Sequence, residues 1–330
     1  MSVDFNHLIL DSLETMRLGE VARGERFKAL AYKKAIDSLK RFNGSVHVAE
    51  DVKDVEGVGK KIYEKITEIV ATGALKAAER MKETTNIDAY ETLLKIHGIG
   101  PVKARELIAA GYRTVEALRA EVARNPGFLN ETQKLGLYYY ESGIQRIPRS
   151  EMEQHEQILL SALPRGLTGT IVGSYRRGAA NSGDVDMLVT YENETVGKKA
   201  FVSLVSDLTK KGYIVNKLVS GAKKWMGYIQ LPFEGSVARR LDLLLTPPEE
   251  FAYALLYFTG SDRFNVAFRR HCLELGYTLN EHSMKLTEKG TKKGVSLPPP
   301  MKTEKDIFAF VGLRFVPPTE RVDGGQIVPL

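Results

Sequence analysis

IVGSYRRGAANSGDVDMLVT, residues 171–190, is the stretch on which the fold of this chain turns. An apolar run ends in Gly173-Ser174, arginines follow at Arg176 and Arg177, and Ser182-Gly183 leads through Asp184-Val185-Asp186 into a second apolar run. Residues two apart on a strand point to the same face, so Asp184 and Asp186 are expected to converge on one spot. A Gly-Ser turn after a strand offers backbone N–H groups and a hydroxyl to a phosphate, and Arg177 adds a planar fork suited to phosphate oxygens. An anion-binding turn between two strands predicts an α+β unit.

Two carboxylates at one spot repel unless a cation lies between them, and Mg²⁺ suits such a pair because it completes its shell with substrate phosphates. A third acid, Asp242, lies within Arg239-Arg240-Leu241-Asp242-Leu243-Leu244-Leu245. An acid flanked by leucines in a buried run calls for a metal or a cationic partner, and Arg240 is a candidate for the latter. Asp-x-Asp alone is more often a solvated strand end. Three carboxylates beside a phosphate cradle point to phosphoryl transfer of the two-ion kind, with Mg²⁺ expected and Mn²⁺ a possible substitute.

Strand-like runs at Thr170–Val172, Val185–Thr190, Trp225–Leu231 and Leu241–Leu245 alternate with helical stretches after about Ile147. Upstream the apolar period is helical, with two helices broken near Gly24 and a third from Gly59 to Gly73. Val55-Glu56-Gly57-Val58-Gly59-Lys60-Lys61 is echoed by Ile96-His97-Gly98-Ile99-Gly100-Pro101-Val102-Lys103. A Gly-x-Gly turn that opens a helix presents amides and the positive dipole end to phosphate. One copy is weak, since glycine commonly just ends a helix; two copies, each followed by lysine, point to duplex backbone binding through Gly57, Gly59, Lys60, Lys61, Gly98 and Gly100. The pattern resembles the helix-hairpin-helix motif. That resemblance implies sequence-independent, salt-sensitive DNA binding and a monovalent cation, K⁺ or Na⁺, at turn carbonyls around Lys53, Val55 and Val58 and around Leu94, Ile96 and Ile99.

Composition is that of an ordinary soluble protein with enough length, 330 residues, for two or more packed cores. The formal charge of +6 is only a weak pointer to a polyanionic partner and is spread along the chain. No apolar run is long enough to span a membrane and the N-terminus carries no leader-like pattern, so neither membrane insertion nor secretion is expected. The one cysteine, Cys272, makes no internal disulfide and reads as a core residue in a reducing compartment.

With these residues in view the chain resembles the family X DNA polymerases, its beta-type members most closely, nearly end to end. Tyr257-Phe258-Thr259-Gly260-Ser261-Asp262-Arg263-Phe264-Asn265 matches the family's nucleotide-selecting segment, and Glu304-Lys305-Asp306-Ile307-Phe308 matches near the C-terminus. The resemblance implies that Asp184 and Asp186 bridge both metals and that Asp242 holds the catalytic one. It implies that Arg146, Ser174, Arg177 and Gly183 hold the triphosphate, that Tyr257, Phe258 and Gly260 lie at the sugar, and that Asp262 lies at the base. Asn265 and Arg269 would touch the minor-groove side, and Arg240 the DNA. Read without the family, Tyr257 and Phe258 are core aromatics and Arg269 a solvated charge.

The resemblance also implies a 5′-deoxyribose phosphate lyase with Lys65 as Schiff-base nucleophile in a pocket with Lys28, Tyr32 and Lys61. Phe27 stands where the relatives carry histidine, so an aromatic remains for stacking on DNA while a hydrogen-bonding group is lost. A longer stretch, Arg124–Thr132, is a second departure.

The expected organisation is α+β: a helical lyase unit with the first hairpin (1–80), a helical DNA-binding unit with the second (81–145), a mixed-sheet catalytic palm (146–255) and a nucleotide-selecting α+β unit (256–330). The expected activity is template-directed filling of short gaps in base excision repair, without proofreading. Gapped or nicked duplex DNA and dNTPs are the expected partners of a monomer, with repair proteins possible. The expected location is intracellular, nuclear in a eukaryote. The alternatives are a template-independent, terminal-transferase-like nucleotidyltransferase and a non-catalytic DNA-end-binding scaffold.

Overall fold

A computed structural model describes residues 3–42, 44–292 and 295–330, arranged as two compact units, Met1–Tyr138 and Tyr139–Leu330. The first is helical. Helices Asn6–Arg23 and Arg26–Leu39 are separated at Gly24, whose left-handed φ of 83° lets its amide cap Val21 O while Glu25 caps Glu20 O. Ile9, Leu13, Met16, Ala35, Ile36, Ile62, Ile66 and Ile69, spaced at the helical period, form its core with Met81. Helices Lys60–Thr72 and Pro101–Ala109 follow the two glycine turns.

The second unit is built on a mixed five-stranded sheet of β1 (Leu167–Ile171), β2 (Val185–Tyr191), β3 (Ile214–Ser220), β4 (Lys224–Ile229) and β5 (Arg239–Leu245), in the order β1-β2-β5-β4-β3. Only β2 and β5 pair in parallel. The α+β class and the mixed sheet agree with the sequence. Strand β3 was not foreseen, because it is an edge strand whose polar side chains, Asn216, Lys217 and Ser220, break the apolar signal. β1 begins three residues earlier than expected: Gly169 weakens the strand pattern, yet a Cβ there would run into Met187 Cε of β2 at 2.1 Å.

Alternation along β2 and β5 sends Val185, Met187, Val189, Leu241, Leu243 and Leu245 into a core shared with helices Arg149–Ser161 and Glu194–Lys210. The opposite face carries Asp186, Leu188, Asp242 and Leu244, its apolar end packed by Ala254, Leu255 and Phe258 of helix Pro248–Thr259. The acids are therefore left at the uncovered end of that face. Helices Asp262–Glu274 and Glu304–Phe310 enclose the last core around Phe264, Phe268 and Phe308.

Candidate active site

Asp186 of β2 and Asp242 of β5 are register partners across the parallel pair. Burial, and then the charge of Asp242, push the Asp186 carboxyl up to about 6, with Lys224 of β4 pulling the other way. Asp184 precedes β2 instead of lying on it, and its carboxylate accepts from the Arg240 guanidinium, whose Nε also lies 3.5 Å from Asp242 Oδ1. Among the described residues no three ligand side chains converge on a single point. Asp184 and Asp242 are thus joined through Arg240, which supplies positive charge between them. The residue set still fits a divalent cation. One carboxyl is held up by burial and by its neighbour, an arginine lies between the other two, and a Cβ on Gly173 would come within 3.1 Å of Asp186 Oδ2.

The turn after β1 is the short helix Gly173–Arg176, whose Ser174 hydroxyl donates to Ser182 Oγ at 3.0 Å and so ties the turn to the approach to Asp184. Arg177 donates to Thr259 O at 2.6 Å, placing its guanidinium beside Gly260, where a Cβ would meet it at 3.2 Å. Arg146 holds Asn181 through Nε (2.8 Å) and Nη2 (3.1 Å), and Gly183 leaves room for its Nη1. Arg146, Ser174, Arg177 and Gly183 are therefore connected to the acids through the 173–183 turn.

Tyr257 and Phe258 sit edge to face at the end of helix Pro248–Thr259, and Asn265 donates to Tyr257 O at 2.7 Å. Tyr257, Asn265 and Arg269 line one cavity with Asn280. Asp262 lies in the first turn of the next helix, near enough to Arg177 to favour its charged form against burial.

The sequence did not foretell Lys224, Asn280 or the link of Arg176 and Arg321 to Glu304. Lys224 reaches Asp186 only because β4 lies beside β5, and Asn280 belongs to a hairpin, Tyr277–Leu279 with Met284–Leu286, that carried no distinctive signal. Arg176 donates to Thr259 Oγ1 (2.5 Å) and to Glu304 (3.2 and 2.8 Å), and Arg321 joins the same carboxylate at 2.6 Å. The repeated arginine at 176 hinted at this link; its partner 128 residues on could not be read.

In the helical unit the two turns are alike. Gly57 (φ 88°) and Gly98 (φ 85°) need the left-handed region, whereas Gly59 and Gly100 have extended φ and open space where a Cβ would stand. The carbonyls of Val55 and Ile96 each accept the amide three residues on, Val58 and Ile99, at 3.0 Å. Lys53 ends a short turn over Ala49–Val52, and Leu94 ends helix Ile87–Leu94. Lys60, Lys61 and the half-buried Lys65 lie on helix Lys60–Thr72; Lys28, 3.4 Å from Glu25, and Tyr32 lie on the second helix, where Phe27 is 90% exposed.

Family models match in tandem: a helix-hairpin-helix domain over residues 4–75, the fingers domain of DNA polymerase lambda over 91–142, the DNA polymerase beta palm over 146–248 and the DNA polymerase beta thumb over 254–322. The chain belongs to the family X DNA polymerases. Its likeness runs to both named members, palm and thumb by the beta models and the 91–142 segment by that of lambda. This family X chain is 32% identical over 332 residues to DNA polymerase lambda of Rattus norvegicus, covering 97% of itself and 57% of the relative. It is 30% identical over 320 residues to DNA polymerase lambda of Arabidopsis thaliana (91% and 59%), and 26% identical over 337 residues to a type-X family DNA polymerase of Schizosaccharomyces pombe (97% and 65%). The chain spans a little over half the length of the two lambda relatives. No helix among the described residues is long and apolar enough to cross a membrane.

Proposed function

We propose that the chain is a template-directed DNA polymerase that fills short gaps in duplex DNA during base excision repair. The observation that carries this reading is the juxtaposition of Asp186 and Asp242 across β2 and β5, beneath the Gly173-Ser174 turn. Asp184, Asp186 and Asp242 would hold two Mg²⁺ ions, with Mn²⁺ a substitute. Bound there, such ions acidify a hydroxyl and neutralise a leaving pyrophosphate. Arg240, which pairs with Asp184 and Asp242, would be free to meet the DNA backbone were those acids to hold ions. Ser174, the Gly183 backbone, Arg146 and Arg177 bind the triphosphate, and Asp242 orients the primer 3′-hydroxyl toward the α-phosphorus. Tyr257, Phe258 and Gly260 exclude water around the sugar, while Asp262, Asn265 and Arg269 check the base pair.

The glycine turns at 57–59 and 98–100 grip the duplex backbone on either side of the gap, with K⁺ or Na⁺ at the carbonyls of 53, 55 and 58 and of 94, 96 and 99. Lys65 attacks C1′ of a 5′-deoxyribose phosphate and loss of water gives an imine; removal of a C2′ proton then breaks the C3′–O3′ bond, and the downstream strand leaves with its 5′-phosphate. Lys28, Tyr32 and Lys61 hold phosphate and Phe27 stacks on a base. The protein acts as an intracellular monomer, nuclear in a eukaryotic host.

The test presents a one-nucleotide gap with each of the four template bases. Addition of the complementary nucleotide alone supports the reading; addition regardless of template sinks it in favour of a terminal transferase, and tight gap binding without addition in favour of a scaffold. Borohydride trapping on a 5′-deoxyribose phosphate end, lost in Lys65→Ala, tests the lyase separately.

A further inference from the structure

Away from the glycine turns and the Lys65 helix, the helical unit contains a cleft of about 270 Å³ where the end of helix Asn6–Arg23, the 84–86 junction and helix Pro101–Ala109 meet. Arg23, Arg105, Thr84, Thr85 and Asn86 line it, with Ile108 as apolar floor, and no acidic residue does. Arg23 is aimed by two hydrogen bonds, Nε to Thr85 Oγ1 and Nη2 to Thr84 Oγ1, both 3.0 Å. Arg105 is half-buried with its guanidinium over Gly24, where a Cβ would lie 3.8 Å from Cζ. Among the described residues neither guanidinium has a carboxylate within ion-pair distance, and Arg105 has no side-chain hydrogen bond. Two like charges on one cleft, one of them half-buried, are unfavourable unless an anion joins them.

The surroundings favour an anion as well. Two of the carbonyls at the end of helix Asn6–Arg23, Glu20 O and Val21 O, are already taken by the amides of Glu25 and Gly24. Asn86 stands at the N-cap of helix Ile87–Leu94 without a side-chain bond to its amides, so its amide side chain is not committed there. Arg105 lies one turn beyond Pro101 on the helix that opens at Gly100, which continues the surface given above to the duplex backbone.

We infer that Arg23 and Arg105 form a further phosphate-binding site, occupied by a DNA backbone phosphate beyond the reach of the two glycine turns. This rests on the polymerase reading. The chemistry is a two-guanidinium clamp on a tetrahedral dianion or diester, and a free phosphate is the competing source.

The test measures affinity for a gapped duplex between about 50 and about 200 mM KCl for the wild type, Arg105→Gln, Arg23→Gln/Arg105→Gln and Arg105→Lys, each checked for fold by circular dichroism. The expected result is a fall in the log–log salt slope of about 1 for Arg105→Gln and about 2 for the double variant. Arg105→Lys should keep the slope at weaker affinity. In parallel, inorganic phosphate and pyrophosphate are titrated into the DNA-free protein while arginine Nε–H resonances are followed. Unchanged slopes in variants that fold overturn the inference; if Arg105 then responds to pyrophosphate, the occupant is a free phosphate instead. A wild type that does not bind the duplex at all fails the polymerase reading, which is a different outcome.

Discussion

Asp186 and Asp242 stand side by side across the only parallel strand pair of the sheet, on a face whose next residues, Leu188 and Leu244, are apolar. The fold thus holds two like charges together at the edge of a hydrophobic layer, a cost that Lys224 and Arg240 offset in part and a bound cation would offset further.

Asp186→Asn should therefore stabilise the metal-free protein. With its carboxyl at about 6 instead of near 4, the wild type is favoured below about pH 4 and loses that advantage as pH rises through about 6. At pH 7.5 in chelator the variant should gain up to about 3 kcal/mol in urea denaturation, with no gain at pH 4. Nucleotide addition should fall at least about 10³-fold. A loss of stability at pH 7.5 would refute the repulsion account.

His155 titrates with the opposite sign. Buried at Tyr213 (Nδ1 to the hydroxyl, 2.7 Å), it is pushed down to about 4 by burial, which outweighs Glu151 beside it. The unfolded chain binds its proton first, so the contribution is complete above about pH 6.5 and is lost as pH falls toward 4, roughly 3 kcal/mol in all. His155→Gln should flatten the pH dependence of the urea midpoint over that range; an unchanged slope would show that other groups dominate it.

Glu304 is buried between Arg176 and Arg321. Burial alone would raise its carboxyl, but hydrogen bonds from the two arginines outweigh it and hold the group below the ordinary range. Glu304→Ala leaves the buried Arg321 guanidinium and the half-buried Arg176 guanidinium without their shared carboxylate and should cost about 3–5 kcal/mol, read as a drop in the thermal midpoint. Glu304→Gln, which keeps an acceptor, should cost less.

The glycines of the two turns should separate by role. Gly57→Ala meets the Lys34–Ala35 backbone at 3.0–3.1 Å and a left-handed φ, so it should lower stability by about 1–2 kcal/mol. Gly59→Val and Gly100→Val have open space in the protein and should leave the thermal midpoint nearly unchanged while weakening gapped-duplex binding about tenfold. Equal effects on stability and binding at all positions would contradict a backbone grip.

Much of this was legible in the chain. The period-3.6 pattern from Ile9 to Ile69 and the two Gly-x-Gly turns announced the helical unit, and the leucine-flanked Asp242 announced a buried acid on a central strand. What stayed hidden depended on neighbours across the sheet or far along the chain. Lys224 acts on Asp186 only through the β4-β5-β2 order, Arg176 finds Glu304 across 128 residues, and the edge strand Ile214–Ser220 has no apolar alternation to reveal it. The Asp184-x-Asp186 pair straddles the strand start at Val185, and the pairing of its first acid with Arg240 depends on a neighbouring strand more than fifty residues on.

The most direct test of the central claim is extension of a primer across a one-nucleotide gap, with and without Mg²⁺, by the wild type and Asp242→Ala. Metal-dependent addition of the templated nucleotide, reduced at least about 10³-fold in the variant, is the predicted result. Addition that survives either removal of Mg²⁺ or loss of Asp242 would contradict the account.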